Sequence, residues 1–392
     1  MNLLYISFWS VNSGLSKATV LPVIQYLLKN DIAKSIILLT PESRNGTAQL
    51  EYTKELSWVP VYFANEKQLS SGWRLLMKMF FATLRALFVK RKEIDLIWAR
   101  ASIAGGVAAI AAKLFRKPFG VESFEPHARY MTESGAWKNG GIKHRLQNWL
   151  EKVQMKNAWR LVTVSTAYQT YLINEKKIGV AKVYNIPCCA DFDLFRFDMI
   201  ARDKLRGELQ IADREKVGIY VGKFGDIYYD QVFFAFLERA FKQEFIDRMI
   251  FLSPMPEHVH ARIMEHAIPQ EKCTIKEVAH EEIYTYLSAA DVGFCPVKES
   301  PAKRYCSPIK TAEYFACGLP VIISRGIGDD STFVNRFKIG RSIDFKTHSI
   351  EINDVQALME IKRLDIISLS REYRSVRIKF NSYKNLFGVS QS

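Results

Sequence analysis

Lys310 and Glu313 stand three residues apart in SPIKTAEYFACGLPVIIS, residues 307–324, between a Ser-Pro pair and a Gly-Leu-Pro break. At i, i+3 on a helix the two side chains share one face. Ser307 reads as the helix N-cap, Pro308 as the first helical residue and Gly318 as the stop. The first turn of such a helix presents unpaired backbone N–H groups and the positive end of the helix dipole. A lysine in that turn opposes the dipole's own preference, so an anion is expected there. The competing account is a solvated helix carrying an incidental Lys–Glu pair, worth only a few tenths of a kcal/mol.

Two further stretches concentrate reactive side chains. VESFEPHARYMTESGAW, residues 121–137, follows an apolar run with Glu122, Glu125, His127 and Arg129. VGKFG, residues 221–225, places Gly222 and Lys223 directly after another apolar run. A lysine suits phosphate as a mobile point charge that needs no bidentate geometry. Metal is not expected. His258 and His260 are two apart and diverge on a helix, and the six cysteines (188, 189, 273, 295, 306, 317) show no zinc-type spacing. Adjacent Cys188 and Cys189 cannot bridge without strain, so free thiols in a reducing cytoplasm are expected.

These residues need elements to position them. Strand-sized apolar runs alternate with helical stretches: NLLYISF, SIILLT, VPVYFA, DLIWAR, FGVESF and RLVTVS, then VGIYVGKFG, RMIFLSP, CTIKEV, DVGFCPV and LPVIIS. Such alternation predicts parallel sheets covered on both faces. At 392 residues the chain is long enough for two domains. The boundary is placed near Asp191, giving domains 1–190 and 191–370. The basic helical end, 371–392, either closes the second domain or crosses back to the first. In such sheets ligands sit beyond the carboxyl ends of the strands. No G-x-G-x-x-G or Walker pattern follows a strand, which weighs against a nicotinamide oxidoreductase.

The charge is uneven. Residues 1–190 carry 26 Lys and Arg against 12 Asp and Glu, whereas 191–392 carry 29 of each, so the first half holds the whole net charge of +14. Residues 72–92, GWRLLMKMFFATLRALFVKRK, contain no acid, and Arg74, Lys78, Arg85 and Lys92 fall within about 40° of one another on a helix. With Phe80, Phe81 and Phe88 around them they predict a basic, aromatic-anchored helix for an anionic membrane surface. WKNGGIKHRLQNWLEKVQMKNAW, residues 137–159, is a second basic aromatic run. No recognised nucleic-acid module is present. The N-terminus reads as a first strand, not a signal peptide, and no apolar run reaches the ~20 residues a membrane span needs.

The string at 307–321 resembles the SP-x-K-x-x-E-Y-x-A-x-G-x-P-V signature of retaining glycosyltransferase family four. TIKEVAHEEIYTYLSAADVGFCPV, YNIPCCADFDLF, VTVSTAYQTYL and VGKFG are similar to other segments of that family, in the same order along the chain. The resemblance implies an α/β, GT-B architecture: two facing Rossmann-like doubly wound domains with the active site in the cleft between them. It implies Lys310 and Lys223 at the donor phosphates, Glu313 on the ribose hydroxyls, and backbone near Val278 and His280 at the base. Gly222, Ser307, Arg304 and the backbone of Ser13 and Gly14 complete the expected donor side, and His127 is assigned to sugar positioning or proton handling. Arg100, Glu122, Glu125 and Arg129 are expected on the acceptor side. Two departures stand out. The family's second lysine is missing from the region Ile227–Asp230, which reads IYYD, and Tyr305 occupies the place of a sugar-contacting glutamate.

The expected function is transfer of a sugar from a UDP- or GDP-linked donor, without a metal or other cofactor, to a lipid-linked or polysaccharide acceptor such as a lipopolysaccharide or capsule precursor. Retention of anomeric configuration follows from the resemblance, while the cysteine pattern and the charge layout point to a cytoplasmic protein peripheral to the inner membrane face. A GT-B sugar-nucleotide epimerase and a non-enzymatic binding subunit are the alternatives.

Overall fold

β-Branched and aromatic runs too apolar to face water on either side form two fully parallel sheets. The computed structural model describes the chain except residues 47–49, 51–52, 66–71, 226, 348–356 and 389–392. It divides into one unit of Met1–Pro187 joined by the chain from Phe380 onward, and a second of Cys188–Lys379.

The first unit holds β1 (Asn2–Ile6), β2 (Ser35–Ser43), β3 (Leu56–Phe63), β4 (Leu96–Arg100), β5 (Phe119–Glu122), β6 (Arg160–Thr163) and β7 (Val183–Asn185), in the spatial order β3-β2-β1-β4-β5-β6-β7. Strand order reverses between β1 and β4, the topological switch point of a doubly wound sheet. Helices Gly72–Lys90, Ser102–Phe115 and Ile142–Asn157 make successive crossovers in one direction, so right-handedness puts them on one face. The first packs on the second and the second on the third. The final helix, Val376–Phe387, ends in this unit: Phe380 stacks on Tyr26 at 4.0 Å, and Tyr383 and Leu386 are buried in its core.

The second unit repeats the plan with β8 (Val217–Val221), β9 (Arg248–Leu252), β10 (Cys273–Lys276), β11 (Val292–Cys295), β12 (Val321–Ser324) and β13 (Gly340–Ile343), ordered β10-β9-β8-β11-β12-β13. Its switch point lies between β8 and β11. Phe233, Phe234 and Phe236 of helix Gln231–Lys242 fill the core against Phe251 and Phe294. The sequence did not announce β7 and β13. Each has only three or four residues, VYN and GRSI, too few for an apolar period to register.

Candidate active site

At the second switch point the chain leaves β8 through Gly222, whose φ of +130° is open to glycine and strained for other residues. Tyr220 donates its hydroxyl to the Lys223 carbonyl and so fixes the turn. Helix Ile309–Ala316 begins beside this turn. It ends at Gly318, φ +69°, where the N–H groups of Gly318 and Leu319 return to the carbonyls of Phe315 and Tyr314.

Lys310 is 5% exposed. Its Nζ lies 4.2 Å from the centroid of Tyr220 and 3.8 Å from that of Tyr228, and a Cβ at residue 222 would stand 3.1 Å from it. It has no hydrogen-bond partner among the described residues. Burial pushes both phenols well above their ordinary value of 10.0, so the rings are neutral. A desolvated cation–π contact contributes ~2 kcal/mol, against several kcal/mol for removing an ammonium from water. The shortfall appears in the lysine itself. Burial depresses it from 10.5 to about 8, partly opposed by Cys295 and Glu313.

Glu313, 5% exposed, accepts from His280 Nε2 across 3.3 Å, and His280 meets the Phe195 ring edge-on at 5.2 Å. Val278 packs at the margin of the same core. Lys223 and Arg304 are exposed, with the Arg304 guanidinium over the ring of buried Tyr305 at 4.7 Å. One local expectation is corrected. Pro308 is the N-cap and Ile309 the first helical residue, while the Ser307 hydroxyl accepts from Cys188 N–H at 3.2 Å instead of capping the helix. Proline has no side-chain acceptor, so distant groups hold this helix start. The Pro308 carbonyl accepts from Arg374 at 3.0 Å; the Thr311 hydroxyl, with one proton to give, lies 2.7 Å from that carbonyl and 2.6 Å from buried Asp330, which also pairs with Arg374.

In the first unit the carboxyl ends of β4 and β5 are tied together. Arg100 and Glu122 form an ion pair, 3% and 1% exposed, and Glu122 Oε1 accepts from Trp98 at 2.9 Å and Tyr383 at 2.6 Å. Neither side chain is open to solvent, and the pair braces the ends of the two strands. His127 opens helix His127–Glu133, half-buried, 3.7 Å from Glu125 and edge-on to Trp137 at 5.6 Å. Exposed Arg129 pairs with Glu133 at 2.7 Å. Ser13 caps helix Gly14–Thr19 by accepting from Ser16 N–H, leaving Gly14 exposed.

Several positioning residues carried no sequence signal. Buried Glu42 accepts from Ser10 at 2.6 Å and Val11 N–H at 3.0 Å, setting the loop after β1. Buried Glu151 accepts from Ala128 N–H at 2.9 Å beneath the His127 helix, and burial raises its carboxyl. Tyr228 was visible only as an apparent departure in IYYD. Among the described residues no three His, Cys, Asp or Glu side chains group to hold a metal.

No protein-family model matches the sequence, and no curated protein does. Solved structures do, and they define the fold as GT-B: two Rossmann-like domains, as in known glycosyltransferases. A sucrose-phosphate synthase from Thermosynechococcus elongatus is similar at 17% identity and TM-score 0.77, over 100% of both chains. Anabaena HepE in complex with UDP-glucose is similar at 15% identity and TM-score 0.69, over 99% of this chain and 100% of that one. WaaG, a glycosyltransferase involved in lipopolysaccharide biosynthesis, is similar at 11% and TM-score 0.64, over 99% and 96%. At these identities the likeness is one of fold.

Proposed function

We propose that this chain is a glycosyltransferase that moves a sugar from a nucleotide donor to a lipid-linked or polysaccharide acceptor at an anionic membrane surface. The observation that carries the reading is Lys310: a buried ammonium without a hydrogen-bond acceptor, at the head of a helix beyond the carboxyl ends of β8 and β11. Departure of a nucleoside diphosphate leaves concentrated negative charge, and a cation already waiting there stabilises the transition state. Lys310 takes the phosphates, exposed Lys223 adds a second charge, and Glu313, steadied by His280, accepts from the ribose hydroxyls. The backbone near Val278 borders the base. HepE's complex with UDP-glucose favours a uridine donor over a guanosine one.

In the first unit His127 handles the sugar or its proton, with Glu125 and Arg129 on the acceptor side and the Ser13–Gly14 backbone contributing donors. The acceptor proton passes to the departing phosphate on the same face, which retains configuration without a protein nucleophile. Helix Gly72–Lys90 meets the membrane through Arg74, Lys78 and Arg85; Lys92 lies just beyond its end. No described helix is long and apolar enough to cross a membrane, and the proposed placement is peripheral, on the cytoplasmic face.

The test is product formation from a panel of nucleotide sugars, with and without an anionic lipid extract carrying glycan acceptors. Sugar incorporation into the lipid or glycan fraction, abolished by Lys310→Met, supports the reading. Conversion of the donor sugar alone would mark an epimerase instead. No turnover with any donor would favour a binding subunit.

A further inference from the structure

We propose that helices Gly72–Lys90, Ser102–Phe115 and Ile142–Asn157 form one membrane-docking face, and that the groove between the last two receives the phosphates of anionic lipid headgroups. The inference rests on the reading that the protein acts at an anionic bilayer, and it enlarges the contact from one helix to a layer.

Three observations point to it. The first is apolar. Every exposed Trp or Phe among the described residues lies on this layer: Trp73, Phe81 and Phe88 on the first helix, Trp149 on the third. Leu114 at the end of the second helix and Ile142 at the start of the third, 87% exposed, extend the patch. The exposed large apolar residues of the second unit, among them Ile200, Met264 and Tyr373, include no Trp or Phe. Concentrated exposed aromatics mark an interaction surface, whereas single exposed apolar residues need no explanation.

The second observation is charge. The only acid in the three helices is Glu151, which is buried and accepts from Ala128 N–H. Exposed bases occur on all three, including Arg85, Lys113, Lys143 and Lys152. A soluble protein partner ordinarily presents both signs of charge; a leaflet of anionic lipid presents one, over a wide area, with acyl chains below for aromatic anchors.

The third is shape. Between Ser102–Phe115 and Ile142–Asn157 runs a groove of about 810 Å³ bordered by Lys113, Lys117, Trp149, Lys152 and Lys156. A neighbouring hollow of about 450 Å³ shares Lys152 and Lys156 and adds Lys176, Lys177 and Lys182. Neither has an acid in its lining. Lysines near helix C-termini complement the dipole, which explains a base or two at each end. It does not explain seven around two joined hollows without a counter-charge, beside an exposed tryptophan.

The test uses the full chain in flotation with phosphatidylcholine vesicles, with and without phosphatidylglycerol. One variant combines Trp149→Ala, Lys152→Gln and Lys156→Gln; a second combines Phe81→Ser and Arg85→Gln. Thermal midpoint and nucleotide affinity serve as folding controls, since none of these residues belongs to the donor unit. The wild type is expected to float only with phosphatidylglycerol, and each variant to lose about tenfold or more in partitioning. If the Trp149 variant floats like wild type while the Phe81 variant does not, the layer proposal fails and the single-helix reading stands. If the wild type does not float at all, the membrane reading itself fails. Lysine-dependent binding to nucleic acid in place of vesicles would also overturn the proposal.

Discussion

The Lys310 ammonium lies 3.8 Å from the centroid of the Tyr228 ring, with no hydrogen-bond acceptor among the described residues. The aromatic faces of Tyr228 and Tyr220 tolerate the charge without neutralising it. A site held in this state favours an incoming anion over its own empty form.

Lys310→Met therefore separates stability from function. Removing a desolvated, unpaired charge should raise the stability of the empty protein by about 1–3 kcal/mol, measured by urea unfolding at pH 7. The same change should weaken nucleoside diphosphate binding by more than tenfold. A variant that loses both stability and binding would show that the lysine is structural.

The pH dependence follows from the direction of the shift. Lys310 titrates near 8 when folded, below its ordinary 10.5, so the unfolded chain holds the extra proton between those values. Its burial cost is then fully present below about 8, and stability should rise as pH increases from about 8 toward 10.5. Anion affinity should run the other way, falling above pH 8, with proton uptake on binding. Calorimetry in buffers of different ionisation enthalpy reads that uptake directly, and Lys310→Met should abolish it.

Gly222→Ala places a methyl group 3.1 Å from the lysine ammonium on a backbone of φ +130°. Strain there costs of order 1–3 kcal/mol. Nucleotide affinity should fall with a stability loss of that size, and near-wild-type behaviour in both would mean the turn relaxes freely.

Arg374→Ala removes the partner of buried Asp330 and one donor to the Pro308 carbonyl. An uncompensated buried carboxylate costs about 3–5 kcal/mol, a loss measurable by denaturant unfolding. The companion change Asp330→Asn should lessen the penalty in the double variant, because it removes the stranded charge.

Much of the fold was legible because buried parallel strands read as apolar runs: LIWAR and VGIYV announce β4 and β8 without any partner in view. The spacing of Lys310 and Glu313 likewise placed them at the head of a short helix. What holds that helix start was hidden. Arg374 lies 66 residues from Pro308, and no local pattern marks a long-range clamp. Tyr228 shows why a missing motif residue is hard to read: its type was visible in IYYD, but only the fold turns its ring toward Lys310. The charge of residues 72–92 was visible as well, while the adjacency of that helix to Ser102–Phe115 is a consequence of sheet order.

The central claim is that Lys310 awaits the phosphates of a nucleotide donor. The most direct measurement is calorimetric titration of wild type, Lys310→Met and Glu313→Ala with uridine and guanosine diphosphates and their sugars. The account predicts selective micromolar binding of one base, weakened more than tenfold by the first change and measurably by the second. Absence of binding by every nucleotide to the folded wild type, or equal affinity in Lys310→Met, would contradict it.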